Sequence, residues 1–400
     1  MKKRDLYLNQ LTAFRDKSLV KVITGVRRCG KSSLLDLFEK YLLDSKVDST
    51  SIIRMNFESL DFDEIKDYNQ LHQYIKSRLT ADGKTYILLD EIQLIEQWEK
   101  AVNSLRLDPN VDLYVTGSNA YLLSSELSTL LSGRYVEIKM LPLSFKEYLD
   151  FNDFDVSNDV SLFFENYIEY GGFPGISELR DYEPSIKPFL NGIYNTIIMK
   201  DVINRNAIRD TALFENLVRF MAGNIGNPVS TKKISDYLTS AGRKTNSETI
   251  ENYLKMLENA FILYRVGRYD LKGKQYLKTH GKYYFVDLGM RNELIGKRGA
   301  DYGSILENVV YFELLRRGYE VAIGRFDNLE VDFVATKSSE TIYYQVTATM
   351  LTKETSEREL RPLQSIPDNY GKVILSMDRT PFKDYDGIRN ENLLDFLLAD

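Results

Sequence analysis

Apolar positions along the first 150 residues alternate between two periods. Residues 19–24 (LVKVIT) are a short β-branched run closed by Gly25, the pattern of a buried strand. Residues 31–43 carry apolar side chains at helical spacing. The same reading predicts strands over 51–57, over 86–89 ending in Asp90-Glu91, over 111–116 and over 136–140. Helices are predicted over 65–79, 94–106 and 119–131. Strands alternating with helices imply βαβ units and an α/β fold: a parallel sheet between helical layers. From 144 to 222 the pattern is mostly helical, broken at 171–175 (GGFPG). Residues 229–280 read as helix, helix, strand. Beyond 281 strands return at 282–286, 320–323, 330–335, 341–346 and 372–375, with a helix over 303–317 among them. The chain thus divides into 1–150, an α/β core; 151–222, a helical lid or linker; 223–280; and 281–400, a second α/β segment.

Composition narrows the class. Hydrophobic residues make up 43% and charged residues 28% of 400, as in globular chains. The formal net charge is −6, which argues against a surface that is basic throughout. Cys29 stands alone among two histidines, His72 and His280. That excludes an intramolecular disulfide and argues against a Cys/His zinc site. No apolar run approaches the ~18 residues of a membrane span, and Met1-Lys2-Lys3-Arg4-Asp5 leads into no apolar signal segment. The expectation is a cytoplasmic protein with no membrane partner.

The chemistry begins at the first strand's end. Gly25-Val26-Arg27-Arg28-Cys29-Gly30-Lys31-Ser32 fits G-x-x-x-x-G-K-[ST], between a predicted strand and a predicted helix. Glycines let backbone N–H groups turn inward around phosphate oxygens, and the helix N-terminus adds unsatisfied donors. The stretch expected to bind ATP is Gly25, Val26, Arg27, Arg28, Cys29, Gly30, Lys31, Ser32 and Ser33. Lys31 is expected on the β- and γ-phosphates and Ser32 on Mg²⁺. Cys29 fills a free position of the motif and reads as a tolerated small residue.

Asp90 and Glu91 follow the third strand. Asp90 would be the second Mg²⁺ contact and Glu91 the base that polarises water, the plain alternative being an acidic strand end in solvent. In Thr116-Gly117-Ser118-Asn119 a small polar side chain at the fourth strand's end would orient water or touch the γ-phosphate. Ser118 is the first choice, with Thr116 and Asn119 competing and an ordinary turn as the alternative. Arg134, in LSGR before the fifth strand, is either a finger completing a neighbouring subunit's site or a surface arginine. A finger implies a homo-oligomer. Arg205 and Arg209 are further candidates in the lid.

GVRRCGKS, ILLDEIQ, VTGSN and LSGRY followed by LPLSFKEYL resemble the AAA+ ATPases, in particular prokaryotic AAA-family proteins with a C-terminal DUF4143 region. The likeness continues through YGGFPG, GKYYFVDLGMRN, ILENVVYFELLRRGYEV, EVDFVA and ETSERELRPLQSI. It implies an AAA+ core that binds and hydrolyses ATP with Mg²⁺, and no particular substrate.

Residues 229–238 read as a capped helix, and Ser247 as the cap of a second helix over 248–259. A strand over 261–266 and a wing over 269–278 complete a likeness to winged helix-turn-helix domains. Segment 229–280 has ten basic and five acidic residues, a local surplus of five in an acidic chain. DNA is therefore a candidate partner through the basic wing. Glu248 and Glu251 at the start of the second helix fit base reading poorly, which leaves backbone contact, or a packing module. In the last segment Glu307, Asp332 and Gln345-Val346-Thr347 follow the order of the PD-(D/E)XK, restriction-endonuclease-like fold. Gln345 and Thr347 stand where that fold has a carboxylate and a lysine. Cleavage is therefore expected to be absent unless Lys353 or Lys372 substitutes. Two functions remain: an Mg²⁺-dependent ATPase acting on nucleic acid, or an ATP-dependent protein-interaction switch.

Overall fold

The first unit opens with α1 (Asp5–Ala13), which the hydrophobic pattern misses because only Tyr7 and Leu11 face inward. Just before it, the buried Arg4 guanidinium donates to the carbonyls of Cys29 at 3.0 Å and Leu141 at 2.8 Å, holding the N-terminus against the phosphate loop. Then come β1 (Val20–Thr24), α2 (Lys31–Asp44), β2 (Ile52–Asn56), α3 (Tyr68–Lys76), β3 (Thr85–Asp90), α4 (Trp98–Leu105), β4 (Val111–Gly117) and β5 (Tyr135–Lys139). The sheet order is β2-β3-β4-β1-β5, and every neighbouring pair is parallel. The computed structural model describes residues 2–80, 83–120, 131, 133–155, 159–179, 182–296, 302–379 and 384–399. It separates into two compact units: Met1–Pro142 with Asn259–Phe261, and Leu143–Glu258 with Ile262–Asp400. All five strands expected in the first unit are present. The helix expected over 119–131 lies mostly outside the described residues.

Two helices are shorter than their pattern. Asp67 caps α3 by accepting from the N–H groups of Asn69 and Gln70, which delays its start. Glu91 adopts a left-handed conformation (φ 54°, ψ 46°), so a 3₁₀ turn, Ile92–Leu94, intervenes before α4. Alternate residues of β1–β4 (Val20, Val22, Ile87, Leu89, Leu113, Val115) pack on Leu71, Ile75, Trp98 and Val102 of α3 and α4 in one core. Lys21 is fully buried in β1. Its ammonium pairs with Asp112 of β4 and donates to the Lys17 carbonyl, so the charge is compensated.

The second unit begins with α5 (Phe145–Phe151), where Ser144 and Glu147 form a reciprocal capping box. It continues with α6 (Val160–Tyr170), α7 (Ile186–Thr196) running into a π-helical stretch, Ile197–Asn204, then α8 (Thr211–Ala222), α9 (Thr231–Ser240) and α10 (Ser247–Asn259). Next come β6 (Leu263–Asp270), β7 (Gln275–Phe285), α11 (Leu288–Ile295), α12 (Tyr302–Arg316), β8 (Glu320–Phe326), β9 (Leu329–Lys337) and β10 (Glu340–Thr347). The chain ends with α13 (Lys353–Ser365), β11 (Gly371–Ser376), β12 (Asp384–Tyr385), β13 (Ile388–Asn392) and α14 (Leu393–Leu398).

Eight strands form one sheet in the order β12-β13-β11-β10-β9-β8-β6-β7. The β6–β7 hairpin joins it because Arg268–Asp270 pair in parallel with Ile323–Arg325. Two local expectations are corrected. The strand expected over 261–266 spans Leu263–Asp270, and its partner begins at Gln275, leaving a turn at 271–274. A cross-strand pair, Tyr269 and Tyr276 with ring centres 5.1 Å apart, extends the ladder. The cap of α10 is Asn246, whose side chain accepts from Thr249 N–H at 2.8 Å, not Ser247, which lies within the helix.

The GGFPG break is shaped by a buried carboxylate. Asp287 caps α11 through Met290 N–H at 2.8 Å and also accepts Gly172 N–H at 2.7 Å. Gly171 has φ +85°, and a Cβ there would lie 2.3 Å from the Asp287 carboxylate. Only glycine fits.

Candidate functional site

The phosphate loop leaves β1 at Gly25 (φ +148°), where an added Cβ would stand 2.1 Å from the Met140 carbonyl oxygen. Arg28 and Gly30 also take positive φ, +69° and +102°, and the second gives the chain its turn into α2. Lys31 is the first residue of α2 and is buried; its ammonium donates to the carbonyls of Gly25 at 3.0 Å and Val26 at 3.2 Å. Ser32 and Ser33 are exposed on the first turn. Val26 and Cys29 are buried, and the Cys29 thiol lies 3.6 Å from the Met140 carbonyl oxygen. Burial pushes that thiol's pKa up against the opposing charges of Lys31 and Arg4, so Cys29 is a packing residue of the loop. Arg27 is turned toward Glu58, 2.9 Å away, and Arg28 faces solvent.

β3 delivers Asp90 and Glu91 to the same edge of the sheet. A Glu91 carboxylate oxygen is 3.9 Å from the Lys31 ammonium, and its other oxygen accepts from the Gln93 amide. Asp90 is fully buried. One of its oxygens accepts from the Thr116 hydroxyl, and the other is 3.3 Å from Arg54 of β2. Arg54 also reaches Asp36 of α2 at 3.2 Å. The parallel register sets Gly117 beside Thr24, so Ser118 follows β4 next to the start of the loop. Ser118 is 2% exposed, and its hydroxyl has no hydrogen-bond partner among the described residues. Asn119 is buried beside it.

The nine loop residues, Asp90, Glu91 and Ser118 therefore share one edge. Arg134 does not. It precedes β5 and its carbonyl accepts from Val20 N–H at 3.1 Å, at the strand starts. The loop lies at the strand ends, beyond Thr24 and Lys139. Five residues of strand at about 3.3 Å each separate the two edges by roughly 16 Å. Arg205 follows the π-helical stretch and Arg209 lies beyond it; both belong to the second unit.

Sequence reading missed Arg4, Arg54, Gln93 and the double contact of Thr116. A signal existed for one of them: Arg54 is the lone charge in the apolar run 51–57. Arg4 has no local signal, because the carbonyls of Cys29, Leu141 and Pro142 to which it donates are distant in sequence.

The second unit holds a cleft of about 960 Å³, lined by Glu307, Glu330, Asp332, Gln345, Arg358 and Glu359 among others. Glu307, Asp332 and Gln345 do meet there, from α12, β9 and β10. The Gln345 amide donates to Glu359 of α13 at 3.0 Å, and its oxygen accepts Asp332 N–H at 3.1 Å. A buried cation of the cluster is Lys282 of β7, 3.1 Å from Glu307 and 3.0 Å from Glu330, while the exposed Arg358 pairs with Glu359 at 2.6 Å. Lys353 instead pairs with Glu357 and is exposed, while Lys372 donates to the Ile366 carbonyl. Burial lowers the Lys282 pKa, but Glu307, Asp332 and Glu330 outweigh it and hold the ammonium above the usual lysine range. Burial, and then the charge of Glu307, push the Asp332 carboxyl well above the carboxylate range, with Lys282 opposing. Among the described residues no three His, Cys, Asp or Glu side chains converge as a metal cage.

Comparison with known proteins fits the loop geometry. Residues 17–149 match the AAA domain family, and residues 162–301 match a domain of unknown function, DUF8612. The latter stands in place of the DUF4143 region that the resemblance implied. An uncharacterized protein of Haemophilus influenzae is 44% identical over 397 residues, 99% of this chain and 98% of its own length. An uncharacterized protein of Methanocaldococcus jannaschii is 32% identical over 331 residues, 79% of this chain and 71% of its own. Among solved structures, a Walker-type ATPase of Pyrococcus abyssi superposes with a TM-score of 0.52 at 17% identity, over 74% of this chain and 96% of that one, a likeness of fold. The chain belongs to the same family as its Haemophilus and Methanocaldococcus relatives, and its phosphate loop, Asp90 and Glu91 lie within an AAA-type P-loop domain.

Proposed function

We propose that the protein is a Mg²⁺-dependent ATPase whose nucleotide state drives a conformational change. The observation that carries this reading is the meeting of Lys31 and Glu91 at 3.9 Å on the edge where the glycine-shaped loop opens α2. The backbone N–H groups of 25–33 and the Lys31 ammonium bind the phosphates. Glu91 holds the proton taken from water. Ser32 and Asp90 fit a divalent ion, because a hydroxyl and a carboxylate are hard oxygen donors, the kind Mg²⁺ prefers. When bound, Mg²⁺ neutralises charge on the β- and γ-phosphates. Ser118, buried with its hydroxyl unpartnered, is the side chain of this edge available to a γ-phosphate. Arg134 belongs to a neighbour's site in a homo-oligomer. The test is ATP turnover by the full chain with and without Mg²⁺. The wild-type protein turns over only with the metal. Lys31→Ala loses nucleotide affinity by about 10–100-fold, as removal of a charged hydrogen bond does. Metal-independent turnover, or Lys31→Ala at full affinity, rejects the reading.

We infer that the core over 1–150 is followed by a helical lid over 151–222, a winged helix over 223–280 whose hairpin runs on into the tail sheet through β7, and an inactive nuclease-like part over 281–400. The order α8-α9-α10-β6-β7 supports the winged helix. Exposed Lys232, Lys233, Lys272 and Lys274 favour nucleic-acid backbone as the partner over a protein-only switch. Binding of plain duplex in a gel shift, weakening steeply with salt, supports this reading. Salt-insensitive absence of binding favours the protein-interaction switch. Among the described residues no helix is long and apolar enough to cross a membrane.

A further inference from the structure

One hydroxyl bonds both acidic residues at the end of β3, through the Asp90 carboxylate and the Glu91 backbone N–H. Thr116 of β4 is fully buried, and the register that sets Leu89 beside Val115 brings Asp90 beside Thr116. The Thr116 hydroxyl has a single proton, which it donates to Asp90 Oδ1. Its lone pairs accept Glu91 N–H at 3.0 Å. That second bond matters because Glu91 is in the left-handed region (φ 54°), unfavourable for a residue with a side chain. Without an acceptor its buried N–H would be unpaired, and the turn that aims the carboxylate at Lys31 would lose its anchor. Asp90 depends on the same group. Thr116 occupies Oδ1 and Arg54 approaches Oδ2, so the hydroxyl decides how the carboxylate plane is turned toward the phosphate loop.

The geometry points to Thr116 as a positioning residue of the phosphate-loop site. It orients Asp90 toward the metal position and fixes the backbone from which Glu91 works, without touching nucleotide. This differs from a γ-phosphate contact, because its proton is already committed to Asp90. The inference rests on the ATPase reading and adds to it the group that couples the metal-holding and water-activating carboxylates. Valine has threonine's shape without the hydroxyl, and serine keeps the hydroxyl without the methyl.

The experiment measures turnover of the full chain across ATP and Mg²⁺ concentrations, with nucleotide affinity and melting recorded beside it. Thr116→Val is expected to lower kcat by about 10–100-fold and to raise the Mg²⁺ concentration for half-maximal rate, the usual range for losing a group that orients a metal ligand. Nucleotide affinity stays at the wild-type value, and Thr116→Ser restores kcat and the Mg²⁺ response. Thr116→Val with wild-type kcat and Mg²⁺ response overturns the inference, as does Thr116→Ser falling as far as Thr116→Val. If Thr116→Val melts below the assay temperature, Thr116→Ala carries the same test. Loss of the folded state in both, with Thr116→Ser folded, overturns positioning in favour of a purely structural role. Failure of the ATPase reading itself looks different: wild type and Glu91→Gln then turn over equally, whatever stands at 116.

Discussion

Glu91 and Lys31 are close enough to oppose each other's charge, yet neither is spent on the other. Their 3.9 Å separation is longer than a hydrogen bond, and the Lys31 ammonium rests on two loop carbonyls that phosphate oxygens would displace. The groups are thus assembled before ligand arrives, with a carboxylate on one side of the lysine and the loop carbonyls on the other. Replacing Glu91 by Gln removes the base while keeping shape and a hydrogen-bonding amide. Glu91→Gln is expected to retain ATP binding and lose about 10²–10⁴-fold in turnover, the range for a positioned general base. Trapped, unhydrolysed ATP on the purified variant is the readout, and wild-type turnover would reject Glu91 as the base. The place of Lys31 beside the loop was legible from sequence because a phosphate loop demands glycine and lysine at fixed offsets within eight residues. The groups that hold the loop and the carboxylates were not. Arg4, Arg54 and Thr116 act across strands, and no local spacing encodes which neighbour a strand will find.

At the scale of elements, the carboxylate that joins α11 to the glycine break carries a pH signature. Burial raises the Asp287 pKa to about 6 from an ordinary 3.8, against the pull of N–H bonds from Met290 and Gly172. The folded state therefore binds the proton more tightly than the unfolded chain does. Stability from this group is fully present below about pH 4 and is lost as pH rises to about 6, by about 3 kcal/mol in all. The stability difference between wild type and Asp287→Asn, followed by denaturant melts from pH 7 to pH 4, should shift toward wild type on acidification. A flat difference would mean that the carboxylate is not buried as a neutral acid. The tail cleft makes a second element-scale case. Its order of Glu307, Asp332 and Gln345 could be read along the chain, but Lys282 and Glu359 could not, since β7 and α13 reach the cluster only through the sheet. Lys282 is already bound to Glu307 and Glu330, and Glu359 accepts from Gln345. Phosphodiester cleavage needs a free cation and a metal held by carboxylates, and each absent stabiliser costs about 10²–10³ in rate. The full chain with ATP and Mg²⁺ or Mn²⁺ should leave plasmid DNA intact. Cutting abolished by Asp332→Ala would move the tail into the nuclease class.

At the scale of the whole molecule the question is whether one chain suffices. The alternating pattern gave a five-stranded parallel sheet whose strands all appear; β1, β3 and β4 are buried on both faces and leave near-continuous apolar runs. The same pattern placed a boundary at 280, within what is one strand, β7 (Gln275–Phe285). Hairpin and tail strands share a sheet through three pairs, Arg268–Asp270 with Ile323–Arg325, and no periodicity announces so short a junction. The sheet's polarity then bears on assembly. Parallel strands put all their ends on one edge and all their starts on the other. Lys31, Asp90, Glu91 and Ser118 lie on the first, and Arg134 on the second. An arginine side chain spans about 7 Å, roughly half the ~16 Å between the edges. Arg134 is therefore too far to touch ATP bound by its own loop, and a direct contact with ATP would need a second copy of the chain. Arg134→Ala should lower kcat and leave nucleotide affinity unchanged. Lys31→Ala should be inactive through lost binding. Mixed together, the two impaired proteins should turn over faster than either alone, since the first brings an intact phosphate loop and the second an intact arginine. The regained rate should rise with total protein concentration, as expected of an interface in exchange. No recovery at any ratio, or wild-type kcat in Arg134→Ala, would leave Arg134 a surface residue and remove its argument for a neighbour.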